Sequence, residues 1–377
     1  MSKVEVSTCL FQVARDELLH ALKQVSGVVE QSQVMQILSF VLLTGSDSRL
    51  SVLASNSEVE VVTEAKLFSP SPTPFAITVS CKKLMDICRA LPDGALVELH
   101  QSSQWIMVKT LDSQFKLATL PGDSFPRLPQ QEQGVKIKLV ESALKENIEK
   151  TCFSMACQDA RFFLNGLFLS VEEGMLNCVA TDGHRLSWEK FLPLEPVEDG
   201  LTAIVPRKTV LELAKLLRPN EEALDLIVGD QFIEVSTGHF KLRSNLIEGQ
   251  YPKYKKLIPS SVSDTASVDA KVLKQSLDRV AILANEKFKG ARFTFDNGAL
   301  SIVSSNFDQE EAVSSMPVGY SGAQRTVAFN INYVLDVLSV IETDDVLFHF
   351  SEQVQGVLLE ADKESGTGAY VVMPLTL

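Results

Sequence analysis

No apolar run in this sequence approaches the roughly 20 residues that a bilayer-spanning helix needs. The opening stretch, MSKVEVSTCLFQVARDELL, lacks both a long apolar core and a small-residue cleavage site, so no secretory signal and a cytoplasmic location are expected. The six cysteines (Cys9, Cys81, Cys88, Cys152, Cys157, Cys178) form no CxxC pair, which reads as free thiols in a reducing compartment. The five histidines are scattered, without HExxH or a Cys/His run, so no metal and no cofactor are expected. Basic residues are also in deficit, 35 against 48 acidic, for a net charge of −13. Taken alone, that sum argues against a nucleic-acid binder, which needs a basic footprint.

What is present is repetition. At 377 residues the chain is too long for one ordinary domain. A helical i, i+4, i+7 pattern occurs as Leu18/Leu22/Val25, Leu144/Ile148/Thr151 and Leu273/Leu277/Val280, each time after an extended run. A strand ending in a small polar turn occurs at Leu53–Asn56, Val179–Asp182 and Val303–Asn306, at intervals of 126 and 124 residues. A further strand and helix begin at Val79, Val205 and Phe329, at the same two intervals, with Ser80, Pro206 and Asn330 placed as helix starts. Each such helix precedes an alternating strand (ALVELH, LDLIV, VLFHF). Phe125-Pro126 and Tyr251-Pro252 close the first two copies. The pattern predicts three domains of one α+β fold, each with two helices and a mostly antiparallel sheet. Polar connections at Pro126–Gly134 and Pro259–Thr265 place them at 1–128, 135–260 and 263–377.

The middle copy holds the most distinctive stretch, Asn177–Lys190, NCVATDGHRLSWEK. It reads as a strand, a turn at Thr181-Asp182-Gly183, and a second extended run through Leu186 and Trp188. Asp182 suits the turn because its carboxylate can accept backbone N–H groups ahead of it, and Gly183 suits a positive φ. Such a turn fits an active site, a binding pocket or a plain hairpin. Asp182 and His184 can be drawn as an acid–base pair for a hydrolase. The sister turns at Ser55-Asn56 and Ser305-Asn306 have no matching histidine, and no nucleophile–base–orienter set is visible. The chain also has no GxxxxGK[ST], no GxGxxG after a strand and no GxSxG. A non-catalytic protein is therefore expected.

Charge placement qualifies the net sum. The second-helix windows Val79–Pro92 and Val205–Arg218 carry +2 and +3, the third, Phe329–Glu342, carries −2, and the rest of the chain carries −16. A solvated helix face explains this equally well. Repeats joined head to tail by similar rotations form rings or open helices. A ring lined by basic helices and acidic outside would hold duplex DNA without reading its sequence.

Several blocks then carry a resemblance: FSMACQDARFFLNG (Phe153–Gly166), VATDGHRL (Val179–Leu186), VPRK (Val205–Lys208), ANEKFKG (Ala284–Gly290), YVLDVL (Tyr333–Leu338) and YVVMPLTL (Tyr370–Leu377). In order and spacing, over the whole chain, they resemble the β subunit of bacterial DNA polymerase III, the replicative sliding-clamp family. The resemblance implies a head-to-tail homodimeric ring around duplex DNA that has no catalysis of its own and confers processivity. It implies as partners the polymerase III catalytic subunit, a clamp loader, other polymerases and repair proteins, bound through short linear peptides, and no membrane. The implied peptide cleft is Leu164, Thr181, Gly183, His184, Arg185, Leu186, Pro252, Phe288, Asn330, Tyr333, Val354, Val371, Val372, Met373 and Pro374. The implied DNA contacts are Arg89, Gln158, Arg161, Phe162, Phe163, Arg207 and Lys208, with phenylalanines where some relatives carry tyrosines. The implied ring joint sets Phe115 and Leu117 against Ile282 and Leu283. This chain departs from some members at Lys256, Leu257, Leu375 and Thr376, which bears on the cleft rim. It also has Glu30, Gln31 and Ser32 in a loop that often carries a base, so no DNA contact is carried over there. A hydrolase using Asp182/His184 and a three-repeat scaffold that never encircles DNA are the competing readings.

Overall fold

The computed structural model describes residues 8–30, 35–102, 105–130, 133–362 and 368–376. Gln31, Ser32 and the terminal Leu377 lie outside them. Six α-helices are described: α1 (Arg15–Val25), α2 (Cys81–Ala90), α3 (Glu141–Thr151), α4 (Arg207–Leu216), α5 (Ala270–Val280) and α6 (Ile331–Leu338). They fall two to a repeat. The periodic positions on α1, α3 and α5 are all buried. Thr151 occupies a core position because its hydroxyl donates to the Asn147 carbonyl at 2.6 Å, leaving no unmet polar group. Ser80 stands at the N-cap of α2 but accepts no capping bond, and it is still held in the strand ladder opposite Phe40. Pro206, expected as a first helical residue, instead ends its strand opposite Gly166, and α4 begins at Arg207. Asn330 does cap α6, accepting the Asn332 N–H at 2.9 Å, and Asp269 caps α5 by accepting the Val272 N–H at 2.8 Å.

Packing divides the chain into two compact units. The first comprises residues 1–142 and 212–246, the second 143–211 and 247–377. Strands of the second repeat contribute to both, because the sheets run across repeat seams.

In the first unit, one antiparallel sheet has the order Gln114–Ala118, Trp105–Lys109, Leu96–Ser102, Thr8–Ala14, Val59–Ser80, Phe240–Asn245, Phe232–Ser236, Ala223–Val228, Val135–Val140. Phe40–Ser55 pairs with Val59–Ser80 beside this path. Thr63 of the first repeat lies opposite Phe240 of the second, so each repeat covers an edge of the other. Asn56 Oδ1 turns the long hairpin by accepting N–H groups of Glu58 and Val59 at 3.0 and 2.7 Å.

In the second unit, an eight-stranded sheet runs Thr202–Pro206, Gly166–Glu172, Met175–Thr181, Arg185–Phe191, Gly368–Val372, Val357–Ala361, Asp345–Phe350, Asp264–Asp269. A four-stranded sheet (Glu311–Pro317, Ala299–Ser305, Gly290–Asp296, Arg325–Asn330) accompanies it. Phe293, Phe295, Phe329, Phe348 and Phe350 fill the core, with Phe295 edge-on to Phe350 at 5.2 Å. The strand Gly368–Val372 belongs to the third repeat but pairs with Arg185–Phe191 of the second, setting Leu186 opposite Val371.

Candidate functional site

The turn in the middle repeat is built by its own side chains. The Thr181 hydroxyl donates to the Arg185 carbonyl at 2.6 Å and accepts the Gly183 N–H at 3.1 Å. Asp182 Oδ1 accepts the N–H groups of His184 and Arg185 at 2.8 and 3.0 Å. Gly183 has φ +89°, and a Cβ there would also meet the Arg161 guanidinium at 3.0 Å. The Asp182 carboxylate is thus spent on the backbone and on Arg185, whose Nε donates to Oδ2 at 3.1 Å. Among the described residues no hydrogen bond joins Asp182 to the His184 ring, so the acid–base pair drawn for a hydrolase does not assemble.

Arg185 fastens three segments. Beyond Asp182, its guanidinium pairs with Asp336 on α6 and donates to the Phe153 carbonyl at 2.6 Å. It also lies 4.5 Å from the centre of the Tyr333 ring. Its side chain is only 12% exposed. Burial pushes the Tyr333 hydroxyl above its ordinary pKa, with Asp182 adding to the effect.

Beneath the turn, Leu164, Leu186 and Val371 belong to one buried apolar cluster with Tyr251, Tyr254 and Leu358, and Phe163 and Met373 pack against it half-buried. Thr181 and Val372 are buried as well. Met373 is held at the turn by its N–H, which donates to the His184 carbonyl at 2.9 Å, and Leu375 N–H donates to the Ala328 carbonyl at 2.8 Å. Gly356 admits this strand closely, since a Cβ there would lie 2.6 Å from Val371 Cγ1. Pro252, Asn330, Tyr333, Val354, Met373 and Pro374 are half-buried, while Gly183, His184 and Phe288 are exposed. The Phe288 loop is tied to the start of α6 by the Ile331 N–H, which donates to the Lys289 carbonyl at 2.8 Å. The arrangement is an apolar floor with a mixed rim and a few fixed polar groups, the chemistry that holds an extended apolar peptide.

The expected DNA residues meet varied fates. Arg161 Nε donates to Asp159 Oδ1 at 3.0 Å and its Nη2 to the Asp182 carbonyl at 3.2 Å, bracing the turn. Phe162 is 57% exposed, whereas Phe163 packs on the apolar cluster. Gln158 is exposed with φ 58°. Arg207, partly buried, donates to the Met155 carbonyl at 2.9 Å. Lys208 is partly buried, and Arg89 pairs with Asp86 at 3.1 Å on the exposed side of α2. Of the expected joint residues, Phe115 and Leu117 lie on the last strand of the first unit's sheet, Leu117 buried. Ile282 stands out in solvent at 78% exposure and Leu283 is half-buried.

Hydrogen bonds from the Arg161 guanidinium and N–H, helped by the charge of His184, hold the Asp159 carboxyl down at about 2. The group is depressed in the folded state, so its contribution is present above the unfolded value of about 4 and lost as pH falls through about 2. A carboxyl chemical-shift titration is expected to give an Asp159 midpoint near 2, rising towards about 4 in Arg161→Gln. A wild-type midpoint at the ordinary value would mean that the clasp does not form.

Sequence reasoning assigned Arg185 to ligand contact and did not see its anchors. Asp336 entered as one negative charge of its window and as part of the YVLDVL block, never as a partner of Arg185, to which it is joined across 151 positions. No local spacing announces that pair. Gly356 and Phe153 gave no signal either.

Three similar α+β modules in series, with an apolar floor and a mixed rim where the second and third pair strands, are the architecture of a DNA-clamp protein. Comparison with known proteins agrees. The chain matches the DNA polymerase III beta subunit N-terminal domain over residues 9–129, the central domain over 138–253 and the C-terminal domain over 255–376. It is 39% identical to the beta sliding clamp of Pseudomonas aeruginosa, over 97% of this chain and all of that one. A crystal structure of the Pseudomonas aeruginosa sliding clamp bound to griselimycin superposes with a TM-score of 0.93 at 38% identity, covering 98% of this chain and 100% of that one. The C. crescentus beta sliding clamp superposes at 0.91 with 31% identity over 98% and 100% of the two chains. The chain belongs to the DNA polymerase III beta subunit family.

Proposed function

We propose that this protein is a processivity factor that closes as a head-to-tail homodimer around duplex DNA and tethers polymerase III and other replication and repair proteins. It is not a catalytic subunit. The observation that carries the reading is the Leu186–Val371 strand pair, which joins two repeats and lays the cleft floor between them. We assign domains to 1–128, 135–260 and 263–377, with cytoplasmic function. No helix among the described residues is long and apolar enough to cross a membrane.

In this reading the ring holds DNA by topology, so few phosphate contacts are needed and a net charge of −13 is no obstacle. Arg89, Arg207, Lys208 and the Gln158–Phe163 segment supply those contacts. A partner peptide places aliphatic or aromatic anchors on Leu164, Leu186 and Val371, flanked by Tyr333, Met373, Pro252, Phe288 and Val354. Asn330 and the backbone at Gly183-His184 fix its main chain. The polymerase III catalytic subunit, the clamp loader and other clients compete for this one cleft.

The test is retention on DNA. Loaded on nicked circular duplex, the protein is expected to stay bound through a high-salt wash and to leave within one wash after linearisation. Equal retention on circle and line would refute encirclement and favour a scaffold that never closes on DNA.

A further inference from the structure

The first unit contains a cluster that the clamp function does not use. Cys9 lies opposite His100 on neighbouring antiparallel strands, Thr8–Ala14 and Leu96–Ser102. Glu98 is two residues along from His100 and so shares its face. Between Cys9 and Phe11 the ladder slips by one residue. That bulge brings Gln12, which would otherwise point to the opposite side from Cys9, onto the same face and opposite Glu98. Ligand atoms of Cys9, Glu98 and His100 all lie within 4.8 Å of one another.

We propose that Cys9, Glu98 and His100 form a three-ligand binding site for a borderline-soft divalent cation of the zinc class. One thiolate, one imidazole and one carboxylate are zinc's usual donors, and three protein ligands leave a fourth position for water. Bond lengths of about 2.0–2.3 Å put donors about 3.3–3.7 Å apart around a tetrahedral centre. His100 Nε2 and Glu98 Oε2 already stand 3.0 Å apart, so small side-chain rotations complete the geometry. Gln12 Nε2 donates to Glu98 Oε1 at 2.6 Å, the outer hydrogen bond that aims a ligating carboxylate.

Two features point to a ligand rather than a sheet decoration. His100 is buried to 13% side-chain exposure, with Nε2 turned to Glu98 and Nδ1 left without a hydrogen-bond partner among the described residues. Buried polar atoms are normally partnered. The donor set is also mixed, one thiol, one imidazole and one carboxylate within 4.8 Å, with Lys109 opposite Glu98. An incoming cation would take the place of the Cys9 thiol proton, so binding releases a proton. Spacing rules miss this site because Cys9 lies about ninety residues before Glu98 and His100 and only strand pairing joins them.

The experiment uses the full chain, reduced and stripped with chelator, then titrated with Zn²⁺ and separately with Co²⁺. One ion per chain is expected, and the Co²⁺ form should show intense near-ultraviolet thiolate-to-metal absorption. Cys9→Ser should abolish that band, His100→Gln should weaken binding at least tenfold, and Gln12→Ala should weaken it roughly ten- to a hundredfold. Circular dichroism of the metal-free variants checks that they fold, and His100→Gln decides the matter if Cys9→Ser does not. Absence of stoichiometric binding would overturn the proposal. So would a Co²⁺ band that survives Cys9→Ser, which would place the metal on another thiol such as the exposed Cys157.

Discussion

Ile282→Lys combined with Leu283→Lys is expected to turn the protein into folded monomers that no longer remain on circular DNA. Ile282 follows α5 in the short turn Ala281–Leu283 and is 78% exposed in a single chain, so a lysine there costs the fold little. In the proposed ring, the same side chain meets Phe115 and Leu117 of the partner. Removing an apolar anchor at the centre of an interface typically costs about 2–4 kcal/mol, and a lysine adds the desolvation of its charge. The dimer dissociation constant should therefore rise at least a hundredfold. Sedimentation velocity at micromolar protein reads the change, and an unaltered urea midpoint for the monomer shows that folding was spared. Dimers of ordinary affinity would move the joint elsewhere.

Arg185→Met is expected to have the largest effect on the second unit. It leaves Asp182, Asp336 and the Phe153 carbonyl without their shared donor. Hydrogen bonds to charged groups are worth about 1.5–3 kcal/mol each, but Asp336 is 42% exposed and its share is discounted for solvent screening. The net loss should be about 2–4 kcal/mol, read by urea unfolding. Because Arg185 fastens the turn to Tyr333, a fluorescent peptide carrying an aliphatic–aromatic anchor should also bind at least tenfold more weakly. Arg185→Lys keeps the charge without the planar fork and should recover less than half of either loss. Wild-type unfolding and peptide binding in Arg185→Met would show that the turn does not depend on this fastening.

Much of the fold was legible because periodicity is local. Leu273, Leu277 and Val280 announce a buried helix face by their spacing alone, and three copies at near-equal intervals announce tandem domains. The polar turn was legible for the same reason, since Asp182 and Gly183 act within a few residues of themselves. The pairing of Leu186 with Val371 was not, because antiparallel strands far apart in sequence leave no spacing signature. Ser80 marked the helix start correctly without capping it, because its backbone also ends a strand. Phe163 was read as a surface group, yet it packs on the apolar cluster, while Arg161 stays exposed and braces the turn at the same time. The candidate cleft was thus visible as a set of residues, while the forces arranging them became visible only in three dimensions.

The strand Gly368–Val372, wedged against Arg185–Phe191, also sets a timetable. During synthesis the ribosome must add about 177 further residues after Phe191 before that partner begins to emerge. At roughly 5–20 residues per second this is a wait of about 9–35 s. Throughout it the nascent second repeat presents an open strand edge bearing Leu186 and Trp188, guarded chiefly by Glu189 and Lys190. The middle of this chain is therefore where chaperone capture or mispairing between neighbouring nascent chains is expected, until Gly368–Val372 has been made.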